Sequence, residues 1–273
     1  MKTLFRSLLP FVVVSVITFG TVVPCAGAVP EVRANGLRIV DTPHAGKDQM
    51  RAFNWFAGTT VALVAIRQNG GIIELDRESS KLTDFKDDMG RDLLTVKKLT
   101  QFSSAGFELS ATISDSGDAC LFEVKAPAIP AKGAKKLTVA GEVALRIGSS
   151  KTTDSVKNIA LKTGSIVKAG PITLKVSKSG KPGWTVGDYV HEVVFESERD
   201  LSEIAKISFL TSDGNPIEAT RTSTARSGFF GNMKVTWTYQ LKKRVDAANI
   251  MVTRWTDLKT EQVPFEVSIG LGL

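Results

Sequence analysis

The chain is poor in the residues that carry most enzyme chemistry. Its 273 residues include two cysteines and two histidines, His44 and His191. They form none of the short motifs for a nucleophilic serine, a zinc-binding helix or a phosphate-cradling glycine loop. This scarcity predicts a protein that is not an enzyme. A hydrolase remains the alternative, because a Cys120–histidine pair or two carboxylates can meet in space without a sequence signature.

The scarcity of cysteine also excludes a fold built on disulfides. Cys25 belongs to an N-terminal segment that we expect to be removed, which leaves Cys120 alone. The rest of the chain is long enough to fill hydrophobic cores without covalent links. We expect Cys120 to be a small buried core residue. The alternative is a reactive thiol or an intermolecular disulfide.

Residues 1–28 have the features of a secretory signal peptide. Two basic residues precede an apolar run from Leu8 to about Val23, and Ala26-Gly27-Ala28 supplies the small residues that signal peptidase requires. A lipoprotein signal would have a small residue where Pro24 stands, so we expect cleavage without lipidation. No later apolar run is long enough to span a bilayer. The sequence predicts a secreted or periplasmic protein with no transmembrane segment in the mature chain.

Positive charge is in excess but dispersed. The formal net charge is +7, and the densest basic cluster is the short run Lys242-Lys243-Arg244. A nucleic-acid-binding protein would show a basic stripe. We therefore expect no nucleic-acid partner, and only mild attraction to anionic surfaces.

Several segments have apolar residues at every second position. The alternation in 107–113 and 235–241 predicts strands with one buried face. Segment 59–66 is apolar on both faces after its start, which predicts a central strand. Turn sequences such as Asn69-Gly70-Gly71 separate the runs, and no segment has a convincing helical period. These patterns predict an all-β fold.

Features of the first half of the chain recur in the second half. The matching sets are Phe85, Gly90 and Leu93 with Phe209, Gly214 and Ile217; Gly106-Phe107 with Gly228-Phe229; and Ile147-Gly148 with Ile269-Gly270. The matches are sparse, but they indicate two domains of one kind, 29–149 and 150–273. Each would hold about seven strands in two packed sheets.

We therefore predict two tandem antiparallel β-sandwich domains of immunoglobulin-like or fibronectin-like type, following a cleaved signal peptide. The likeness is at the level of fold only, and such folds have many unrelated functions. The Cys…Trp…Cys signature of antibody-type domains is missing. A single large barrel is the structural alternative.

One acidic cluster is a candidate metal site. Its carboxylates belong to Asp84, Asp87, Asp88 and Asp92. Calcium takes six to eight oxygen ligands, and closely spaced carboxylates around a glycine turn can supply several of them. The alternative is a solvated turn in which aspartates cap backbone amides. Apart from calcium here, the sequence predicts no cofactor.

A candidate recognition surface lies near residues 179–189, a segment longer than its counterpart in the first half. Trp184 and Tyr189 would supply flat contact area, and Lys181 a positive edge. Such rings bind partner proteins or stack on sugars. The alternative is a long hairpin whose Trp184 folds back on its own domain.

The predicted function is that of an exported, non-catalytic binding or structural module. Duplicated sandwiches make contacts through inter-strand loops and strand edges, and their partner would be a protein or a glycan. The alternative function is that of a carbohydrate-binding accessory protein, with calcium as a stabilising ion.

Overall fold

The computed structural model describes residues 30–41, 57–95, 105–229 and 232–272. The predicted signal peptide and His44 lie outside these ranges. Within them the chain forms strands and turns, with no helix. The strands are β1 (Glu31–Val40), β2 (Gly58–Ile66), β3 (Ile72–Asp87), β4 (Gly106–Ile113), β5 (Ala119–Ala126), β6 (Lys136–Ala160), β7 (Ile166–Ala169), β8 (Ile172–Gly180), β9 (His191–Ser197), β10 (Ile204–Leu210), β11 (Pro216–Ile217), β12 (Ala219–Phe229), β13 (Asn232–Leu241) and β14 (Ala247–Gly270).

The described strands form three antiparallel sheets. The first outer sheet has the order β1-β2-β5-β4, and the second outer sheet has the order β12-β13-β9-β8-β7. The central sheet has the order β11-β10-β14-β6-β3. The prediction of an all-β, antiparallel fold is therefore confirmed.

Two very long strands form the middle of the central sheet. β6 has 25 residues and β14 has 24, and they pair from Lys136 opposite Gly270 to Ala160 opposite Ala247. Asp257 lies near the middle of this ribbon with a positive φ of 52°. Aspartate tolerates that conformation better than most residues.

The ribbon serves two separate hydrophobic cores. In the first core, the first outer sheet packs on β3, the first half of β6 and the second half of β14. In the second core, the second outer sheet packs on β10, the first half of β14 and the second half of β6. β6 therefore begins in the first core and ends in the second, and β14 begins in the second core and ends in the first.

Aromatic rings fill both cores. In the first core, the ring of Phe265 from β14 lies 6.5 Å from that of Phe107 and 6.4 Å from that of Phe122. In the second core, Phe195 and Phe209 stack at 6.1 Å. Phe265 therefore anchors the far end of β14 in a core made mostly by the first half of the chain.

The strand orders of the two halves correspond. β2, β5 and β4 follow one another across the first outer sheet as β9, β13 and β12 do across the second, and β3 and β10 flank the ribbon. Phe85 and Phe209 occupy equivalent positions. The Leu93 N–H donates to the Phe85 carbonyl at 2.8 Å, and Ile217 is the ladder partner of Phe209.

Two of the sequence matches do not join equivalent positions. Gly106 lies opposite Lys125 at the open end of the β4–β5 hairpin, whereas Gly228 lies beside the turn of the β12–β13 hairpin. Ile147 lies near the middle of the ribbon, whereas Ile269 lies at its end. Alternating strands repeat a few residue types, so short pairs of this kind recur by chance.

The predicted boundary after Gly148 falls inside a continuous strand. Ser150 follows it in β6 and is the ladder partner of Thr256 in β14. The predicted division into 29–149 and 150–273 would separate Phe265 from the core that it fills. Whether each part folds alone remains a prediction.

Glycines allow the β2–β3 turn to approach the middle of the ribbon. A Cβ on Gly71, whose φ is +92°, would lie 2.2 Å from the Gly148 carbonyl oxygen. A Cβ on Gly148 would lie 2.6 Å from that of Trp255. The buried Arg67 guanidinium donates to the Gly70 carbonyl at the same junction. Larger side chains would push the turn and the ribbon apart.

We expect Phe265→Ala to lower the free energy of unfolding by about 3–5 kcal/mol, because it leaves a cavity among buried rings. Glu266→Ala, at the exposed neighbouring position, should change it by less than about 0.5 kcal/mol. Urea unfolding measures both. Equal effects of the two variants would show that this end of β14 does not support the first core.

A fragment that ends at residue 149 gives a complementary control. It lacks the second half of β14, so we expect no cooperative unfolding unless a peptide of residues 257–272 is added. Cooperative unfolding of the fragment alone would support independent domains.

Candidate functional site

The loop 181–190 connects β8 to β9 and is exposed along most of its length. Trp184 is 70% exposed, and Val186 and Val190 are also exposed. Trp184 therefore does not fold back into the second core. These three exposed apolar side chains belong to one loop, and exposed apolar patches mark contact sites when they are contiguous.

A buried amide holds this loop in place. Gln240, on β13, is 1% exposed. Its Nε2 donates to the Trp184 carbonyl at 2.6 Å, and its Oε1 accepts the Val186 N–H at 3.0 Å. The main chain immediately after the Trp184 side chain is thus fixed, while the ring remains in water. The loop is preorganised, so a partner need not order it on binding.

Tyr189 lies in the same loop and is half-buried. Its hydroxyl donates to Glu218 Oε1 at 3.3 Å, and Lys242 Nζ lies 5.8 Å from its ring centroid. Lost solvation and the Glu218 carboxylate raise the pKa of Tyr189, so it remains a neutral donor at pH 7. The Lys242 ammonium also lies 2.9 Å from Glu218 Oε1.

A cleft opens beside Tyr189. Its volume is about 520 Å³, and its lining includes Lys181, Thr185, Val190 and Arg244. Lys181 and Tyr189 share this cleft, and Trp184 precedes Thr185 in the same loop. Two of the three predicted binding residues therefore line this cleft, whereas Trp184 belongs to the same loop but not to the lining.

The sequence patterns missed a serine–histidine contact at this end. Ser179 Oγ lies 2.9 Å from Nε2 of the buried His191. Such a contact is the geometry of an activated nucleophile. However, His191 Nδ1 accepts the Val245 N–H at 3.3 Å, so Nε2 carries the proton and donates to Ser179. A general base would need the opposite tautomer, with a free lone pair on Nε2. The Ser179–His191 hydrogen bond therefore has a structural role.

We expect His191 to make stability depend on pH. Burial and the nearby Arg244 lower the pKa of His191, with partial opposition from Asp246. Below an unfolded pKa of about 6.5 the unfolded chain therefore binds more protons, and the free energy of unfolding falls as the pH falls.

Urea unfolding at pH values on both sides of that unfolded pKa tests this expectation. His191→Gln should lose the part of the pH dependence that lies near this unfolded pKa. Equal slopes in the wild type and His191→Gln would contradict it.

The four predicted metal ligands bond separately to the protein. Asp87 is 3% exposed and accepts three backbone N–H groups, from Met89 at 3.0 Å, Arg91 at 2.8 Å and Ala131 at 2.7 Å. Burial would raise the pKa of Asp87, but these bonds outweigh it, so the pKa is lowered. Asp87 therefore ties the turn after β3 to the segment before β6.

The other three carboxylates have partners of their own. Asp84 pairs with Lys86 Nζ at 2.6 Å, and Asp88 accepts the Lys135 N–H at 3.0 Å. Asp92 accepts the Leu94 N–H at 2.9 Å. No group of three or more His, Cys, Asp or Glu within the described ranges is arranged to hold a metal ion.

Cys120 lies inside the first core and is fully buried, as predicted. Burial raises the pKa of its thiol to about 12. The thiolate is the reactive form, so this cysteine is inert at neutral pH.

A second cleft, of about 740 Å³, lies between the two halves of the chain. Asp115 from the first half pairs with Arg221 from the second, whose guanidinium lies 4.6 Å from the Trp237 ring centroid. Both acidic and basic residues line this cleft, among them Glu108 and Arg226. Its lining comes from strands far apart in the chain, so no sequence pattern could have revealed it.

Comparisons with known proteins identify no relative. The chain matches no protein-family model, and no curated protein or solved structure is significantly similar to it. In the part of the chain that the structure describes, no helix is long and apolar enough to cross a membrane. The function is therefore inferred from the geometry of the residues.

Proposed function

We propose that this protein is an exported, non-catalytic binding module that contacts a partner through the 181–190 loop. The observation that carries the proposal is the exposed Trp184 on a backbone fixed by the buried Gln240. Preorganised aromatic side chains contribute much of the energy of protein recognition.

The proposed architecture is a pair of immunoglobulin-like sandwich modules that share one long ribbon. The corresponding strand orders of the two outer sheets support it. Sandwiches of this kind commonly bind through loops gathered at one end. The 181–190 loop, between β8 and β9, occupies such an end of the second module.

A non-catalytic role is supported by the chemistry of the same region. The nucleophile candidate is Ser179, and its neighbour His191 presents a protonated Nε2 to it rather than a free base. The thiol candidate, Cys120, is buried and protonated.

We expect Trp184→Ser to weaken partner binding by about 2 kcal/mol, roughly 30-fold in Kd, as for a central aromatic contact. The protein is immobilised and exposed to a cell-envelope extract. The partner that the wild type retains is then titrated against the wild type and the variant to obtain each Kd. Met89→Ser is the matched control, because Met89 is 62% exposed and lies in the turn after β3. Equal retention by Trp184→Ser and the wild type, with unchanged melting temperatures, would discard the loop as the site.

Carbohydrate binding is the second candidate function. The cleft beside Tyr189 favours it, because Thr185 and Arg244 supply polar groups next to an aromatic ring. Sugars are recognised by this combination of a flat ring and a few placed polar groups. The exposed Trp184 would extend the same surface.

A glycan array tests this candidate function. We expect the wild type to bind some of the glycans, and the variants Trp184→Ser and Tyr189→Ser to lose that binding. If the wild type binds none of them, carbohydrate binding is excluded.

Calcium binding is tested separately, by comparing the melting temperature in calcium with that in a chelator. We expect equal values, because the carboxylates of Asp87 and its neighbours already accept protein hydrogen bonds. A higher melting temperature in calcium than in chelator would show that the protein binds the ion, since a ligand of the native state must stabilise that state.

A further inference from the structure

β12 is an edge strand of the second outer sheet. Among the described strands it pairs only with β13, so one side of β12 presents a row of backbone N–H and C=O groups. Such a row is a template for another extended chain. Natural sheets protect their edges with short strands, bulges, proline or charged side chains, above all lysine.

The other edges of the three sheets carry such protection. β11 has 2 residues and includes Pro216, and β7 has 4 residues with Lys168 among them. β1 is interrupted between Ala34 and Gly36, and β4 between Phe107 and Ala111. β3 has three irregularities in its pairing.

β12 has little protection beyond its first residues. It is 11 residues long, and after an irregularity between Arg221 and Ser223 its pairing with β13 is regular to Phe229. This part contains no proline and a single charged side chain, Arg226, and residues 223–228 are all exposed. Side chains on both faces of this part are exposed, and those of Thr224 and Arg226 on one face line the cleft between the two halves of the chain.

The sequence of this edge is complementary to itself. In an antiparallel pair of two β12 strands centred on Ala225, Ser223 faces Ser227 of the second copy and Thr224 faces Arg226. No like charges oppose each other, and the small side chains permit close approach. Centring the pair on Arg226 instead would oppose two guanidinium groups, which is unfavourable.

Charge around Arg226 is compatible with this register. Its guanidinium lies 3.1 Å from Asp200 within the same molecule, yet the side chain is still 56% exposed. It can therefore face Thr224 of another copy without carrying a wholly unbalanced charge.

We infer that β12 pairs with β12 of a second copy in the register centred on Ala225, so that the second outer sheet continues across two molecules. The contact is short, so it gives concentration-dependent self-association rather than an obligate dimer. It is independent of the 181–190 loop, and either proposal can fail alone.

Two charge variants at one position test the register. Thr224→Lys would place a lysine opposite Arg226 of the second copy, and we expect it to weaken self-association about tenfold. Thr224→Glu would place a carboxylate there, and we expect it to strengthen self-association by a similar factor. Sedimentation velocity of the mature protein over a wide concentration range measures both.

Ser212→Lys and Ser212→Glu are the controls, because Ser212 lies in the exposed turn between β10 and β11 and not in β12. They add the same charges and should leave the association unchanged. Melting temperatures establish that all variants are folded. The inference is overturned if the wild type and Thr224→Glu stay monomeric at every concentration, as they would if the chain covered its own edge. It is also overturned if the two Thr224 variants shift the association in the same direction.

Discussion

The β6–β14 ladder is the interaction on which the rest of the molecule depends. It runs from Lys136 opposite Gly270 to Ala160 opposite Ala247 and passes through both hydrophobic cores. The second half of β14 packs in the first core. If that half of the strand came away, buried rings such as Phe265 would be exposed. The ladder also joins the two halves of the chain, whose residues Asp115 and Arg221 pair across the cleft between them.

The candidate site depends on this framework through β13. That strand pairs with β9, and it carries Tyr239 into the second core and Gln240 towards the 181–190 loop. A single strand thus joins core packing to the position of Trp184. Recognition through a fixed loop avoids the entropy cost of ordering a mobile one. The proposed contacts of the loop and of the β12 edge lie at different places on the second outer sheet.

Much of the fold follows from short-range pattern. The alternation in 235–241 gave a strand with Trp237 and Tyr239 on its buried face, and the β12–β13 pairing shows that strand in place. Phe85 and Phe209 each precede a glycine turn at the same spacing, and each lies in a strand that pairs with the ribbon of the central sheet. The matches at Gly106 and Ile147 were misleading, since alternating strands reuse few residue types.

The sequence alone therefore determined which segments are strands and that Cys120 and Trp237 are buried, because side chains two positions apart share one face of a strand. Only the tertiary structure determined that the long strands pass from one core into the other. Ladder partners such as Gly141 and Phe265 are far apart in the sequence, and β6 has no break after Gly148 to mark a boundary. The site follows the same division. The candidates Lys181, Trp184 and Tyr189 came from the extra length and the aromatic residues of one segment. The hydrogen bonds of Gln240 to the main chain beside Trp184 required the fold, because hydrogen-bond partners are determined by proximity in space.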